Sequence, residues 1–195
     1  MGREFELKFA CSREAFAKLR EDYRDFHTIQ METTYYDTFD GRLGNNRWTL
    51  RRRMENGTSV CTLKIPRTDG SRGEWEVEAG SILAAIPLLC RMGAPMDLMA
   101  FCVSGVAPVC GAKFTRLAKS LEIPGATVEL ALDEGLLLGS GRQMDLLEVE
   151  VELKAGSDEA AVAYARHLAE RYGLTPENKS KYRRALGLAR GEYHV

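Results

Sequence analysis

Carboxylates recur at every second position in two short segments of the chain. Glu4 and Glu6 lie near the amino terminus, and Glu148, Glu150 and Glu152 follow one another in the same way. Side chains two residues apart share one face of a β-strand, so each segment would place its carboxylates side by side. Hard divalent cations such as Mg²⁺ and Mn²⁺ prefer carboxylate oxygens. These two segments are therefore candidate metal ligands.

Basic residues show the same alternation elsewhere. Arg51 and Arg53 are two apart, Lys8 continues the first acidic segment, and Lys64 follows Thr62 by two. Like charges on one face of a strand repel one another unless a group of opposite sign lies between them. A polyphosphate is such a group, because lysine and arginine bind phosphate through charge-assisted hydrogen bonds. The candidate phosphate ligands are Lys8, Arg51, Arg53, Lys64, Arg116 and Lys181.

The alternating pattern also has a simpler interpretation, which is an antiparallel sheet with its polar face in water. For any one strand this interpretation is the better one. It fits the whole set less well, because surface sheets usually pair opposite charges, whereas here each strand tends to one sign. If the charged faces lined an interior instead, the low-dielectric walls would strengthen every contact with a metal-complexed triphosphate.

The elements that must position these residues are mostly strands. Strict alternation between charged and apolar residues is typical of strands with two different faces. It occurs over residues 4–9, 48–53, 60–65, 74–78, 128–133 and 148–152. The sequence therefore predicts an α+β fold in which antiparallel strands predominate.

Turns and helices connect these strands. The pairs Asn56-Gly57, Asp69-Gly70 and Glu134-Gly135 predict hairpin turns. Ser12 and Ser157 are candidate N-caps, and each precedes apolar residues at helical spacing. We therefore expect helices after both serines.

Composition limits the remaining possibilities. The 195 residues are 45% hydrophobic and 28% charged, and no linker divides them, so we expect a single domain over residues 1–195. The 27 Lys+Arg residues nearly balance the 28 Asp+Glu residues, which argues against a general nucleic-acid or membrane surface. The five cysteines lack metal-site spacing, and the amino terminus is charged where a signal peptide would be apolar. Both features favour the cytoplasm.

Residues 81–112 form the least charged segment of the chain. Pro87, Pro95 and Pro108 interrupt it, so it lacks the ~20 uninterrupted apolar residues of a membrane span. We expect short buried helices and loops in an outer layer. The same layer is the candidate contact of a homodimer.

Seven elements of the sequence resemble, in their order, the CYTH superfamily, the triphosphate tunnel metalloenzymes. They are Glu4-x-Glu6-x-Lys8, Leu50-Arg51-x-Arg53, Thr62-Leu63-Lys64, Arg72-x-Glu74-x-Glu76, Arg116, Leu132-Asp133-x-Gly135 and Glu148-x-Glu150-x-Glu152. The first alone is a weak signal, whereas the full ordered set is a strong one. Residues 129–135 and the Ser180-Lys181 pair are most similar to bacterial inorganic triphosphatases.

The resemblance implies a fold. It is an antiparallel, closed eight-stranded β-barrel that forms a tunnel, with helices packed on the outside. The charged faces of the strands would then point inward. The alternating apolar side chains would lie under the helices, and they include Phe5, Leu7, Trp75, Val77, Val149 and Val151.

The resemblance also implies metal-dependent hydrolysis of inorganic triphosphate to pyrophosphate and phosphate. One or two ions of Mg²⁺ or Mn²⁺ would be held by Glu4, Glu6, Glu148 and Glu150, with Glu152 and Asp133 as helpers. The six basic residues above would hold the phosphates. Lys64 is the preferred group for assisting the attacking water, with Tyr36 or Tyr35 as its partner. The candidate catalytic residues are thus Lys64, Tyr36, Glu4 and Glu150.

Two departures from the family pattern bear on this assignment. Many members carry a second basic residue two positions before Arg116, where this chain has Phe114, and Lys113 is a doubtful replacement. The His-Phe pair of class IV adenylyl cyclases is absent near the start, which weakens the assignment as a cyclase. A thiamine or nucleoside triphosphatase, and a non-catalytic polyphosphate- or nucleotide-binding module, are further hypotheses that the same residues allow.

Several conspicuous residues have ordinary explanations. Glu74, Glu76 and Glu78 are expected to hold basic residues in place through ion pairs. Cys61 is expected to be a small core residue. Surface positions are expected for His27, His167, His194 and, in a solvated basic tail, Arg183 and Arg184.

Overall fold

A computed structural model describes residues 2–68 and 70–193 of the chain, and for residues 2–4 we consider the backbone alone. This part of the chain contains ten strands and six helices. In order, they are β1 (Gly2–Glu4), β2 (Glu6–Ala10), α1 (Arg13–Tyr23), β3 (His27–Thr38), α2 (Arg42–Asn45), β4 (Thr49–Glu55), β5 (Thr58–Pro66), β6 (Arg72–Glu78), α3 (Ile82–Arg91), α4 (Asp97–Cys102), β7 (Val106–Ile123), β8 (Ala126–Gly139), β9 (Arg142–Gly156), α5 (Asp158–Tyr172), β10 (Thr175–Pro176) and α6 (Lys181–Ala189).

The strands form one antiparallel sheet in the order β1-β6-β5-β4-β3-β7-β8-β9-β2-β10. Only Phe5 separates β1 from β2, yet β1 pairs with β6 and β2 pairs with β9. The sheet must therefore curl until β6 and β9 both lie beside the same amino-terminal segment. The α+β fold with a large antiparallel sheet is as predicted. A closed eight-stranded barrel is not confirmed, because the sheet has ten strands and the pairing of the described residues ends at β1 and β10.

The outer face of β2, β8 and β9 is apolar and packs against α1 and α5. Val149 and Val151 are completely buried in this cluster, and Phe5 and Leu7 pack against it, as the alternation predicts. Both predicted N-caps are present. Ser12 Oγ accepts a hydrogen bond from Ala15 N and Ser157 Oγ accepts one from Ala160 N, each at 3.1 Å.

A second apolar cluster lies between α3, α4 and the strands β4–β6. It includes Trp75, with Val77 packed against it, in agreement with the predicted outward faces. The two helices account for residues 82–91 and 97–102 of the weakly charged segment, while residues from Val106 onward form β7 instead of the predicted loops. In the described part of the chain, no helix has the length and apolar character needed to cross a membrane.

The predicted turn at Glu134-Gly135 is wrong. Both residues lie inside β8, where Gly135 pairs with Phe114 of β7. A Cβ at Gly135 would lie 2.5 Å from Phe114 Cα, so this glycine allows close approach of two backbones and does not form a turn. The turn between β8 and β9 is at Ser140-Gly141, where both φ angles are positive. Asn56-Gly57 forms the predicted turn, and Asp69 lies outside the described residues.

The predicted basic tail is also wrong, because residues 181–189 form helix α6. Ser180 Oγ caps this helix by accepting a hydrogen bond from Arg183 N at 3.1 Å. The helix packs closely on β8 at Gly139, where a Cβ would lie 2.5 Å from Ala189 N and 2.6 Å from Ala185 O. The absence of a side chain at Gly139 therefore sets the position of α6.

The variant Gly139→Ala tests this packing. Its added methyl group has no room against the backbone of α6, and we expect the free energy of unfolding to fall by about 1–3 kcal/mol. Gly80→Ala is the matched control, since no atom lies within 4 Å of its added Cβ. Urea unfolding measures both, and an equal effect of the two substitutions would contradict the proposed role of Gly139.

Candidate functional site

The inner face of the curled sheet lines a cavity of ≈ 310 Å³. Each strand from β2 to β9 contributes at least one side chain, and α6 closes the cavity with Lys181 and Tyr182. All six basic residues proposed as phosphate ligands line it, namely Lys8, Arg51, Arg53, Lys64, Arg116 and Lys181. Acidic side chains from β2, β4, β6, β8 and β9 lie among them. The cavity is thus charged on all sides, with both signs present.

Lys181 lies at the centre of a buried acidic cluster. Its Nζ is 2.8 Å from Asp133 Oδ2, 2.6 Å from Glu148 Oε2 and 2.6 Å from Glu150 Oε1. Asp133 and Glu148 are completely buried, and Glu150 is nearly so. Strands β8 and β9 bring the carboxylates together, because Asp133 pairs with Glu148 in the ladder. The ammonium group thus occupies the position where the three carboxylates converge.

Arginines complete the charge compensation of this cluster. Arg116 donates to both oxygens of Asp133 at 2.8 Å and also to Glu150. Arg184 Nη2 donates to Glu148 Oε1 at 2.8 Å. Each buried carboxylate therefore has at least two cationic contacts, which is the condition under which buried charges are tolerated.

The cluster shifts the pKa values of its members in opposite directions. Burial raises the pKa of Glu148 above its ordinary value of 4.5, and Lys181 offsets this only in part. Burial also acts on Glu150, but Lys181 and Arg116 hold the pKa of this carboxyl well below 4.5. Burial disfavours the charged form of Lys181, yet Asp133 and Glu150 raise its pKa well above 10.5. Glu150 and Lys181 are thus charged together in the interior.

Arg184 is a site residue that the sequence analysis misplaced. The prediction put it in a solvated tail, whereas its side chain is only 11% exposed and contacts Glu148. Residues three apart on a helix share one face, so a helix beginning at Ser180 would have placed Arg184 beside Lys181. The capping serine was the available signal. Arg183, on another face of α6, is exposed as predicted.

Two arginines and a lysine form another wall of the cavity. Arg51 and Arg53 on β4 face inward, and Arg53 forms an ion pair with Glu55. Burial lowers the pKa of Arg53, and the positive charge of Arg51 lowers it further. Arg52 lies between them on the outer face, where its Nε donates to Ser59 Oγ at 2.8 Å. Two like charges therefore stand side by side on the inner face, a position that an anion would stabilise.

Glu74 forms the ion pairs with basic residues that we expected, whereas in the described part of the chain Glu76 and Glu78 form none. Glu74 Oε1 lies 3.4 Å from Lys64 Nζ and 3.9 Å from Arg51 Nη2. Glu76 accepts a hydrogen bond from Thr62 Oγ1 at 3.0 Å. Lys64 itself is buried, and its contact with Glu74 makes it an ion-pair partner in this structure. Its role in assisting a water molecule stays a prediction.

A row of three carboxylates crosses the inner face on β2, β9 and β8. Glu6 pairs with Glu152, and Glu152 pairs with Glu129, so the three stand directly beside one another. Lys154 Nζ contacts Glu152 at 2.8 Å and Glu129 at 3.8 Å, and Lys8 Nζ contacts Glu6 at 3.2 Å. Neighbouring carboxylates repel one another, so this row attracts further positive charge. Glu129 was not among the predicted site residues.

The chemistry of these donors suits a hard divalent cation. Asp133, Glu148 and Glu150 each offer an oxygen, and these oxygens lie within 4.8 Å of one another. The ammonium of Lys181 fills the point where they converge. Asp133 and Glu148 do not line the cavity, so in this structure they are ion-pair partners of basic residues. Glu6 and Glu152 add carboxylates that line the cavity itself. Oxygen ligands of this kind fit Mg²⁺ or Mn²⁺ and do not discriminate between the two.

The two candidate tyrosines lie on different faces of β3. Tyr35 is buried and lines the cavity, and burial raises its pKa. Tyr36 packs instead against the apolar cluster under α3 and α4. Strand alternation separates adjacent side chains in this way. Tyr35 therefore has the position from which a partner of Lys64 must act, and Tyr36 does not.

Of the remaining residues considered in the sequence, Phe114 lies in the cavity and the others lie outside it or outside the described residues. Phe114 lines the cavity, with Lys181 Nζ 5.4 Å from its ring centroid, whereas Lys113 is exposed and excluded from the site. Cys61 is a buried core residue, as expected. His27 and His167 are exposed. The side chain of Glu4 and all of His194 lie outside the described residues.

Sequence comparison identifies the family. A family model described as the CYTH domain matches residues 2–186. The chain belongs to the CYTH domain family. An inorganic triphosphatase of Haemophilus influenzae is 25% identical to it over 164 residues, which is 80% of this chain and 47% of that protein. The CYTH chain thus spans about half the length of this relative.

Solved structures share the fold of this CYTH domain. A proposed adenylate cyclase from Bacillus halodurans superimposes with a TM-score of 0.68 and 21% identity, covering 92% of this chain and 96% of the other. A proposed adenylyl cyclase from Hippeastrum, described as having a dominant triphosphatase activity, has a TM-score of 0.64 and 19% identity, with coverage of 98% and 97%. At these identities, the likeness establishes the fold.

The variant Lys181→Met tests the central ion-pair cluster of the CYTH domain. Three buried carboxylates would lose their shared ammonium group, and we expect the free energy of unfolding at pH 7 to fall by about 3–5 kcal/mol. Arg183→Met on the exposed face of the same helix should change it by no more than about 0.5 kcal/mol. Urea unfolding followed by circular dichroism measures both. A loss of stability confined to Arg183→Met would show that the assigned pairing is wrong.

Proposed function

We propose that this CYTH domain hydrolyses inorganic triphosphate to pyrophosphate and phosphate with the help of Mg²⁺ or Mn²⁺. The observation that carries the proposal is the convergence of Lys8, Arg51, Arg53, Lys64, Arg116 and Lys181 on one cavity that carboxylates also line. A triphosphate with its cation is a ligand that uses both sets at once. The triphosphatase from Haemophilus influenzae supports the same reaction class.

The size of the cavity favours a compact substrate. Its ≈ 310 Å³ is at the lower end of ligand-binding cavities, which span about 300–1,000 Å³. The lining is charged and polar apart from Ile29, Met31, Phe114 and the rings of Tyr35 and Tyr182. Tyr35 and Tyr182 are packed against each other, with ring centroids 5.1 Å apart. The charged lining therefore matches the phosphate chain of a substrate, which is the whole of inorganic triphosphate and only one part of ATP or thiamine triphosphate.

The basic side chains orient the substrate and neutralise its charge. Water attacks the terminal phosphorus in line, a bridging P–O bond breaks, and pyrophosphate leaves with the bridging oxygen. Negative charge builds up on that oxygen and on the transferred phosphoryl group. Arg51 and Arg53, fixed on adjacent inward positions of β4, provide donors that need not reorganise during the reaction. Lys8 lies across the cavity on β2 and provides another.

Glu6, Glu150 and Glu152 are the residues of the described set that would hold the divalent cation beside the substrate. When bound, the cation supplies Lewis-acid stabilisation of the phosphate oxygens. Glu150 also fixes Arg116 and Lys181 through its ion pairs, so it sets the position of two basic residues as well. The carboxylates of β9 thereby join the metal-binding and phosphate-binding parts of the site.

Lys64 and Tyr35 are the pair that we assign to the attacking water. Both line the cavity, on β5 and β3, and both are buried. Lys64 is held by Glu74 from β6, on the strand next to its own. Tyr35 replaces Tyr36 in this assignment, because only Tyr35 reaches the inner face.

The substrate is tested by measuring phosphate release from tripolyphosphate, ATP and thiamine triphosphate, with Mg²⁺, with Mn²⁺ and with EDTA. We expect tripolyphosphate to give the highest kcat/KM, because it needs no room for a ring, and we expect EDTA to abolish turnover. Cyclic AMP is measured in the ATP reactions.

Each competing function has a distinct outcome in this panel. Faster cleavage of ATP or thiamine triphosphate would overturn the substrate assignment, and cyclic AMP would indicate a cyclase. Tight binding of tripolyphosphate without any phosphate release would indicate a binding module. Turnover in EDTA would contradict the need for a metal.

Arg53→Ala tests the phosphate-binding wall. Loss of one fixed cationic donor should lower kcat/KM for tripolyphosphate by roughly 100-fold. The matched control is Arg52→Ala on the same strand, whose side chain points to the outer face and donates to Ser59. We expect its kcat/KM to stay within about twofold of the parent, since it makes no contact with the cavity. Equal losses for both variants would show that the effect is structural.

A further inference from the structure

Two open hollows adjoin the central cavity and share lining residues with it. One, of ≈ 480 Å³, shares Thr49, Lys64, Arg72, Ser180 and Tyr182 with the cavity. The other, of ≈ 600 Å³, shares Ile29, Glu55 and Glu76. The shared side chains place each hollow directly beside the cavity, as a candidate entrance to it. We call the first the cationic mouth and the second the acidic mouth, after the charged side chains that line them.

The two mouths lie at opposite ends of the same strands. On β4, Thr49 lines the cationic mouth and Glu55 lines the acidic mouth, six residues apart along the strand. Six residues of extended chain span about 20 Å. On β6, Arg72 at one end and Glu78 at the other show the same separation. The two candidate entrances therefore lie at opposite ends of the cavity, along the direction of these strands.

Four arginines surround the cationic mouth. Arg47 follows α2, Arg72 begins β6, and Arg183 and Arg190 lie on and just after α6. In the part of the chain that the structure describes, none of the four has an ion pair with a carboxylate. Arg47, Arg183 and Arg190 are exposed to solvent. The four charges are therefore available to a ligand that arrives from solution.

Among the described residues, Asp37 is the carboxylate that lines the cationic mouth, and it does not offset these arginines. Asp37 is buried and accepts hydrogen bonds from the backbone N–H groups of Thr38, Leu43 and Gly44 at 2.7, 2.9 and 3.0 Å. These three backbone donors therefore compensate the negative charge of Asp37. Helix α6 begins at the same mouth with Ser180, so the positive end of its dipole adds to the local potential.

The acidic mouth has the opposite charge. Glu55, Glu76 and Glu78 line it, and among the described residues His27 is the one side chain of its lining that is able to carry positive charge. Clefts lined by one sign of charge concentrate ligands of the opposite sign and raise their association rates by 10- to about 1,000-fold. A polyanion is therefore attracted to one end of the cavity and repelled from the other.

We propose that the triphosphate enters through the cationic mouth, and that Arg47, Arg72, Arg183 and Arg190 form the site that captures it. Arg72 and Lys64 line both the mouth and the cavity, so they provide continuous positive charge from the capture site to Arg51 and Arg53. The acidic mouth excludes the anion. This inference rests on the proposed function for the identity of its ligand, and it assigns the direction from which that ligand arrives.

The double variant Arg183→Gln/Arg190→Gln tests the capture site. Both side chains are exposed, so the fold should be unaffected. We expect kcat/KM for tripolyphosphate at low ionic strength to fall roughly tenfold, with kcat within about twofold of the parent. The difference should shrink as salt screens the charges. The matched control is Arg91→Gln/Arg166→Gln, which removes the same net charge at exposed positions outside both mouths.

Calorimetric binding of tripolyphosphate in EDTA, at low and high salt, accompanies the kinetics. If no variant or parent cleaves tripolyphosphate, the proposed function fails, and the binding data still decide the inference. Weaker binding and a smaller salt dependence for Arg183→Gln/Arg190→Gln alone would support entry through the cationic mouth. Equal effects of the two double variants, or no effect of either, on both kcat/KM and binding would overturn it.

Discussion

Lys181 brings one positive charge to three carboxylates that would otherwise repel one another inside the protein. Asp133, Glu148 and Glu150 come from two neighbouring strands, and the alternation of those strands forces all three to the inner face. Buried carboxylates without partners are strongly unfavourable, so the curled sheet needs cations in its interior. Because Lys181 comes from α6, the same ion pairs hold this helix against the sheet. Gly139 provides the space in which the helix lies.

The outer layer follows from the same alternation. The three inward glutamates of β9, at 148, 150 and 152, are each followed by an outward valine or leucine, and these apolar side chains pack under α1 and α5. Helices α3 and α4 do the same for β5 and β6. Most of the hydrophobic core thus lies between the outer face of the sheet and the helices. The inner face carries the charged groups together with a smaller apolar cluster that includes Met31 and Phe114. Burial of the outer face stabilises the curl that brings the charged inner faces together.

The inward positions of Lys8, Arg51, Arg53 and Lys64 could be predicted because strand alternation is visible in the sequence and determines which side chains share a face. The family, Arg116 and Lys181 were predictable from the ordered set of motifs that resembles the CYTH superfamily. Helices α1 and α5 were predictable because Ser12 and Ser157 satisfy backbone N–H groups that helix starts leave unpaired. Helix α6 was missed because its residues look like a basic tail when their partner carboxylates are unknown. Gly135 was mistaken for a turn because a glycine required for close strand contact looks, in one dimension, like a glycine required for positive φ.

The sequence by itself determined the segregation of charge. It groups charges of one sign at neighbouring positions of the same face, such as Arg51 with Arg53 and Glu148 with Glu150, opposite apolar residues. The net charge of -1 therefore hides two strongly charged sets. Only the tertiary structure decided which members of those sets meet. In the folded chain Lys181 and Arg184 contact Glu148, and Tyr35 lines the cavity whereas Tyr36 does not. Four arginines lie at the cationic mouth, and three glutamates lie at the acidic mouth. The reason is that alternation fixes the face of a side chain, whereas its partners depend on the curl and register of strands that are distant in sequence.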